Sequence, residues 1–309
     1  MENLSFSKAA ESMRNFFDIQ NEQLIVPCPG TQLGESPRWA HGQLRWVDTY
    51  SRIVYILRNF PENTVPEQLA MPDEISAIVP TANPALWLGF GRIGVWAFPD
   101  EGVPKLIANV PFDSTAQRFN DGRADALGRS WVSAIVDART PGAHLYRFDS
   151  GSVNVAVDGL TVGNGLAFSP DNRFMYLADT RARCVWRYDF DLATGSLGER
   201  KVFIQYTTGT DRPDGAAVSE DGHYWVAVFE GSRIDRWDQE GNLVCSYPVP
   251  VRCPTMPCFA GEDRQWLAFT SAGLDRPESE RKGTPAGDLI AFRVNVPGCR
   301  EHLGSAWTR

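Results

Sequence analysis

Six stretches of the chain share one pattern of apolar and polar positions. Each begins with a turn rich in Pro, Asp, Gly or Asn, continues into an alternating strand that holds an aromatic residue, and ends in a second strand that carries basic or polar residues. Alternation with a period of two predicts β-strands, whereas helical periodicity is strong only near residues 6–17, where it predicts a short helix. The six stretches read LRWVDTYSRIVYIL, LWLGFGRIGVWAF, SWVSAIVDARTPGAHLYRF, MYLADTRARCVWRYDF, YWVAVFEGSRIDRWD and QWLAFTSAGLD…GDLIAFRV.

One aligned aromatic residue in each stretch sets the length of the repeat. These residues are Trp46, Trp87, Trp131, Tyr176, Trp225 and Trp266. Their successive intervals are about 41, 44, 45, 49 and 41 residues, which is the length that a propeller blade of four strands requires. We therefore predict an all-β chain that folds as a six-bladed β-propeller with four-stranded blades. A β-sandwich is the structural alternative, although it would not need a repeat of this length.

A chain of 309 residues can hold two ordinary domains or one large all-β domain. Because the repeat continues through most of the chain, we predict a single propeller domain over residues 1–309, with residues 1–28 as an N-terminal extension. Three places for this extension stay open. It packs on the outside of the propeller, closes the ring of blades or lies near a partner.

Equivalent positions of propeller blades lie at equal heights along the central channel. The position about 11 residues before each aromatic is polar in five of the six stretches, and in the sixth it adjoins Asn164. These positions are Glu35, Ser76, Asn120, Gly165, Asp214 and Thr255. A polar ring supplied by different blades predicts a ligand site at one end of the channel. The alternatives are coincidence in a polar channel and simple turn formation by Asn or Asp beside Gly.

Four members of this ring offer only oxygen ligands to its centre. Glu35 and Asp214 supply carboxylates, while Asn120 and Asn164 supply amides. Hard cations such as Ca²⁺ and Mg²⁺ prefer this set, and Mn²⁺, Fe²⁺ and Zn²⁺ stay open because affinity also depends on geometry and supply. Two negative charges would neutralise a divalent ion and leave coordination positions for water and substrate, as a catalytic metal requires.

The charge and hydropathy of the chain argue against two classes of partner. A net charge of −8 and a pI of about 5.1 do not fit a nucleic-acid surface, which needs clustered Lys and Arg. No apolar run reaches the roughly 18 residues that a membrane span needs. The N-terminus contains acidic residues and lacks a continuous apolar segment, so we expect a cytoplasmic protein without a signal peptide.

The cysteines and histidines do not form a recognisable site in the sequence. Among the six cysteines only Cys253 and Cys258 are close together, which does not match the paired spacings of a zinc site. In the expected compartment these thiols stay reduced. No ligand spacing or catalytic triad is apparent for the four histidines, His41, His144, His223 and His302.

Five motifs together give a specific resemblance that covers residues from about 30 to about 295. They are LGESPRW…LRWVD, RFNDGRADALGRSWVS, GNGLAFSPDNRFMYLADT, RPDGAAVSEDGHYWVA and PTMPCFAGEDRQWLAFTSA. In these motifs the chain resembles the senescence marker protein/gluconolactonase/luciferin-regenerating enzyme family, which includes regucalcin-like sugar lactonases. The resemblance implies a six-bladed propeller with one divalent metal, Ca²⁺ foremost, held by Glu35, Asn164 and Asp214. It further implies that Arg118 and Asn120 face the substrate.

The activity that the resemblance implies is metal-dependent hydrolysis of a lactone, with a small-molecule lactone as the partner. In the expected mechanism the metal polarises the carbonyl, Asp214 acts as general base on a water molecule, and Asn120 and Arg118 hold the substrate. If residues 118–120 are extended, Arg118 and Asn120 share the side facing the channel and Phe119 points into the blade.

Three stretches depart from the family pattern and leave the particular lactone open. They are IVYIL in the first repeat, DARTPGAH after Val136 and PGCREHLGSAWTR at the C-terminus. An organophosphate-type hydrolase on the same scaffold and a non-catalytic metal- or ligand-binding propeller are the alternatives, because a fold does not fix a function. The oligomeric state is not indicated by the sequence.

Overall fold

The computed structural model describes residues 19–100, 102–149, 151–207, 209–274 and 276–305. Within these ranges the chain forms 24 β-strands and one short helix, α1 (Glu278–Arg281). The helix predicted near residues 6–17 lies outside the described residues. No helix among the described residues is long and apolar enough to cross a membrane.

The 24 strands form six antiparallel sheets of four strands each. The first and second sheets contain β2 (Gly34–Ala40), β3 (Gln43–Asp48), β4 (Ile53–Arg58) and β5 (Glu67–Ala70), then β6 (Ala77–Pro80), β7 (Leu86–Phe90), β8 (Gly94–Pro99) and β9 (Lys105–Asn109). The third and fourth contain β10 (Gln117–Ala124), β11 (Ser130–Val136), β12 (Ala143–Asp149) and β13 (Ser152–Leu160), then β14 (Gly163–Phe168), β15 (Phe174–Asp179), β16 (Cys184–Asp191) and β17 (Ser196–Gln205). The fifth and sixth contain β18 (Arg212–Val218), β19 (Tyr224–Phe229), β20 (Arg233–Trp237) and β21 (Leu243–Pro248), then β22 (Pro254–Ala260), β23 (Trp266–Ser271), β24 (Leu289–Val294) and β1 (Ile19–Val26).

The first strand of each sheet contacts the first strands of both neighbouring sheets. Strands β2, β6, β10, β14, β18 and β22 therefore form a closed ring, and the other strands of each sheet extend outward from it. This arrangement confirms the predicted six-bladed β-propeller with four-stranded blades.

Part of the N-terminal extension completes the sixth blade. Strand β1 pairs antiparallel with β24, and Val26 lies opposite Leu289. Both residues are fully buried, so the first strand and the last strand share one core. Among the three alternatives for the extension, residues 19–26 therefore take the second, because they close the ring of blades.

The six repeat aromatics all lie in the second strand of their blades and are buried, with at most 4 % of their surface exposed. Their places in the strand ladders are not all equivalent. Trp131 lies opposite the third residue after Asn120, and Trp225 lies opposite the third residue after Asp214. Trp87 lies opposite the fourth residue after Ser76, and Trp266 lies opposite the fifth residue after Thr255. The aromatics therefore share the strand but not the ladder position, because the turn after β6 is one residue longer than that after β10, and β22 is one residue longer than β10 between its ring residue and the turn.

Four cysteines lie in this core, and none of the six forms a disulfide. The buried ones are Cys28, Cys184, Cys253 and Cys258. Burial raises the pKa of the Cys28 and Cys258 thiols to about 12, so these groups stay protonated and unreactive.

Candidate active site

A β-bulge interrupts the innermost strand of five blades close to the predicted ring positions. The register shifts between Glu35 and Arg38 in β2, and between Asn164 and Ala167 in β14. Equivalent shifts occur in β10, β18 and β22. A bulge adds one residue to a strand and bends it. A side chain at the bulge therefore points in a different direction from the one that regular strand alternation would give it. The bulges therefore account for polar side chains at the mouth of the channel on strands that are otherwise buried.

Arg118 and Asn120 lie on the same side of β10. Arg118 Nη1 donates to Asn120 Oδ1 at 3.0 Å and to Ser76 Oγ at 2.8 Å, which links the third blade to the second. Phe119 is fully buried and packs edge-on against Phe90. Arg118 and Asn120 therefore contact each other, while Phe119 points into the core of the blades.

The hydrogen bonds continue from Asn120 through the fourth blade to the fifth. Asn120 Nδ2 donates to Asn164 Oδ1 at 3.1 Å, and Asn164 Nδ2 donates to Thr180 Oγ1 at 2.9 Å. Thr180 Oγ1 then donates to the backbone oxygen of Pro213 at 2.8 Å, directly before Asp214. The structure thus brings Asn120 and Asn164 together and joins them to the strand that carries Asp214.

Glu35 and Asp214 interact electrostatically across this mouth. Burial foremost, together with repulsion from Asp121, raises the pKa of Glu35 to about 8, while attraction to Arg118 opposes the shift. Burial also raises the pKa of Asp214 well above its usual value, and repulsion from Glu35 adds to the shift. Asp214 is buried and Glu35 is half-buried, and two such carboxyl groups that repel each other are stabilised in their charged form by a cation. The donor set of Glu35, Asn164 and Asp214 therefore fits a divalent metal that prefers oxygen ligands.

This set differs from a metal centre built only from ionisable ligands. The described residues contain no group of three or more His, Cys, Asp or Glu side chains arranged to hold a metal ion. The third predicted ligand here is the amide oxygen of Asn164. Among the described residues, no histidine takes part in the hydrogen-bond chain or in the carboxylate pair.

Asp121 is a third carboxylate, which the sequence reasoning did not assign. It is 3 % exposed, and its Oδ2 accepts a hydrogen bond from the backbone nitrogen of Leu166 at 2.8 Å. Its Oδ1 lies 3.6 Å from Nη2 of Arg38, which is fully buried. Asp121 thus links β10 to β14 and pairs with an arginine. Its place in the NDG motif, directly after Asn120, is the feature of the sequence that could have indicated it.

The opposite end of the propeller is covered by the C-terminal segment. A cavity of about 360 Å³ lies there, and Arg123, Glu301 and His302 are among its lining residues. Glu301 Oε1 lies 3.6 Å from Arg38 Nε and 3.4 Å from Arg123 Nε. Arg38 Nη2 also donates to the backbone oxygen of Gly122 at 2.6 Å. The side chain of Arg38 therefore connects blades in the interior, between this cavity and the polar ring.

The fold and the ring define a class of protein: a six-bladed propeller with an oxygen-rich site at one mouth of its channel. Comparison with known families identifies the group more closely. The model of the SMP-30/Gluconolactonase/LRE-like region matches residues 33–273, and the chain belongs to this family.

Two curated relatives are named as lactonases. The chain is 34% identical over 292 residues to the 6-deoxy-6-sulfogluconolactonase of Pseudomonas putida, covering 92% of this chain and 99% of the relative. It is 31% identical over 278 residues to pentonolactonase XacC of Haloferax volcanii, covering 86% of this chain and 92% of the relative.

The fold agrees with solved structures of the family. The calcium-binding protein regucalcin of Agrobacterium tumefaciens superposes with a TM-score of 0.84 at 26% identity, covering 92% of this chain and 97% of that chain. A luciferin-regenerating enzyme superposes with a TM-score of 0.83 at 25% identity, covering 92% of this chain and 100% of that chain.

Proposed function

We propose that the protein is a metal-dependent lactonase that opens a sugar lactone at the mouth of its channel. The observation that carries the proposal is the mutually repelling pair of half-buried Glu35 and buried Asp214, together with the buried amide of Asn164. The names of the two lactonase relatives support the reaction, and one of them specifies a sulfo-substituted gluconolactone. Ca²⁺ is the first candidate for the metal, with Zn²⁺, Mn²⁺, Mg²⁺ and Fe²⁺ as alternatives.

When bound by Glu35, Asn164 and Asp214, a divalent cation supplies polarisation of the lactone carbonyl and a more acidic water molecule. Asp214 is assigned as the base that accepts a proton from the attacking water. The water oxygen bonds to the carbonyl carbon and the C–O bond of the ring breaks. The proton then passes to the departing ring oxygen, so that one lactone and one water give one hydroxy acid.

Arg118 is suited to hold substrate oxygens because only one of its nitrogens is used within the protein. Nη1 donates to Ser76, Asn120 and the backbone oxygen of Phe119. Among the described residues, none accepts a hydrogen from Nε or Nη2. A guanidinium with two unused nitrogens binds two oxygens side by side. We assign Arg118 to the ring and hydroxyl oxygens of the lactone.

Asn120 has no amide hydrogen left to donate to a substrate in this structure, although the sequence predicts that it holds the substrate. Both hydrogens of its amide are used, by the backbone oxygen of Gly163 at 2.9 Å and by Asn164 Oδ1 at 3.1 Å. Asn120 therefore donates to a lactone carbonyl only when Asn164 turns its oxygen toward a cation and releases one hydrogen. Metal binding and substrate binding are coupled through this hydrogen bond.

A pH-indicator assay over a panel of aldonolactones tests the proposal. Lactone opening releases acid, and we expect this release to disappear in EDTA and to return when a divalent metal is added back. Asp214→Asn keeps the side-chain shape, removes one charge and should lower both metal affinity and turnover. Metal uptake and thermal stabilisation without acid release would instead identify a binding protein. Full activity of Asp214→Asn would show that Asp214 is only a turn residue.

A further inference from the structure

Three side chains outside the polar ring lie at the same end of the propeller as Glu35 and Asn164. Tyr50 is in the β3–β4 hairpin, Arg139 in the β11–β12 hairpin and Arg181 in the β15–β16 hairpin. Second strands run antiparallel to the innermost strands, so these hairpins lie beside the start of the innermost strands, where the ring residues are. Arg181 directly follows Thr180, which belongs to the hydrogen-bond chain of the ring.

Contacts connect Arg139 to the site through Tyr50. The guanidinium carbon of Arg118 lies 5.7 Å from the centre of the Tyr50 ring, in cation–π range. Arg139 lies close enough to Tyr50, Arg118 and Arg181 to interact electrostatically with all three. Burial, together with repulsion from Arg118 and Arg181, lowers the pKa of Arg139 below its usual value. The three arginines therefore share one electrostatic environment.

Two other arginines at this end of the propeller, Arg92 and Arg233, are already paired with carboxylates. Arg92 pairs with Glu74 at 2.8 Å and with Asp137 at 2.9 Å, and Arg233 pairs with Asp211 at 2.9 Å.

By contrast, Arg118, Arg139 and Arg181 have no carboxylate within ion-pair distance in the part of the chain that the structure describes. Because Arg118 already interacts with Glu35 and Asp214, the uncompensated charge is that of Arg139 and Arg181, and these two guanidinium groups form a positive region that favours an anion.

We propose that Arg139 and Arg181 bind an anionic group on the substrate, a carboxylate or a sulfonate at the end of the molecule remote from the lactone carbonyl. The inference rests on the proposed lactonase function. Arg118 contacts Asn120 and is therefore nearest to the reacting carbonyl. Arg139 and Arg181 extend from surface hairpins and reach a part of the substrate further out. The two arginines act as specificity determinants.

Matched lactones provide the test. The substrates are a gluconolactone with its neutral terminal hydroxymethyl group, the same lactone with a terminal carboxylate, and the same lactone with a terminal sulfonate. We expect the wild-type enzyme to favour a charged lactone. Arg139→Asn and Arg181→Gln should each lower the ratio of kcat/KM for the charged lactone to kcat/KM for the neutral one by about tenfold, the effect of losing one charge-assisted hydrogen bond. Comparison of the two charged lactones identifies the preferred group.

Arg52→Asn is the matched control. Arg52 is exposed, lies in the β3–β4 hairpin and has a φ of 56°, compared with 57° for Arg139, so Asn is tolerated equally well at both positions. The control should leave the kcat/KM ratio unchanged. Raised salt should weaken the preference for the charged lactone in the wild type, because exposed charges are screened.

Two outcomes separate this inference from the function on which it rests. Hydrolysis of the neutral lactone with no preference for a charged one, or equal losses on all three lactones in Arg139→Asn and Arg181→Gln, would overturn the role of these arginines alone. Absence of hydrolysis with all three lactones in metal-replete enzyme would contradict the lactonase function itself, and this inference with it.

Discussion

Arg118 combines a structural and an electrostatic function at the mouth of the channel. One nitrogen of its guanidinium joins two blades through Ser76 and Asn120. Its positive charge opposes the rise in the pKa of Glu35 and Asp214, so it favours the ionised carboxylates that a cation needs. Removing the charge and removing the hydrogen bonds should therefore have separable effects on activity.

Substitution of Arg118 separates these effects. Arg118→Lys keeps the positive charge and loses the planar fork, whereas Arg118→Ala loses both. We expect kcat/KM to fall roughly 100-fold in Arg118→Ala, in the range found for loss of a group that stabilises a developing charge, and less in Arg118→Lys. Steady-state kinetics would be measured together with bound metal. Unchanged kinetics in Arg118→Ala with the metal retained would place the substrate elsewhere in the channel.

At the scale of strands, the bulges in the innermost strands decide which side chains reach the site. The sequence repeat predicts the blades and the ring positions, because strand alternation and repeat length are local properties of the chain. It does not predict the ladder positions of Trp87 and Trp266, since these depend on the length of each turn and of each innermost strand. The roles of Asp121 and Arg139 depend on contacts between blades that are distant in the sequence, and no local pattern contains those contacts.

Gly165 shows how tightly the bulge of β14 is packed beside Asn164. Its φ is +55°, and a Cβ added there would meet the backbone oxygen of Asp214 at 2.9 Å and clash with the Tyr224 hydroxyl. Gly165→Ala should destabilise the protein by about 1–3 kcal/mol through backbone strain and overpacking. It should also weaken metal binding, because Asn164 is displaced.

Gly159→Ala is the control for Gly165→Ala in urea unfolding. Gly159 has a φ of +71° and open space within 4 Å of the added carbon, so this variant carries the backbone strain without the contact. The difference between the two variants measures the cost of the contact alone. Equal free energies of unfolding would show that the bulge tolerates a methyl group and that Asn164 is not held rigidly.

At the scale of the whole molecule, both ends of the chain tie the blades together. Strand β1 completes the blade that contains β24, and the C-terminal segment crosses the far end of the propeller. There Gly298 pairs with Ser219 of the fifth blade, and Gly304 pairs with Thr81 of the second. The C-terminal segment, whose sequence departs from the family pattern, therefore connects blades on opposite sides of the ring. It also places Glu301 against two arginines of the interior.

Glu301 is expected to be the residue through which the C-terminal segment stabilises the propeller. Its side chain is 10% exposed and lies against Arg38, which is 0% exposed, and Arg123, which is 11% exposed. Glu301→Gln leaves two buried guanidinium groups with less compensating charge, so we expect a loss of about 3–5 kcal/mol in the free energy of unfolding. Glu220→Gln is the matched control at the same end, because Glu220 pairs with Arg264 and is 48% exposed. Such a surface pair contributes about 0–1 kcal/mol. Equal stability of the two variants in urea unfolding would show that Asp121, and not Glu301, balances the charge of Arg38.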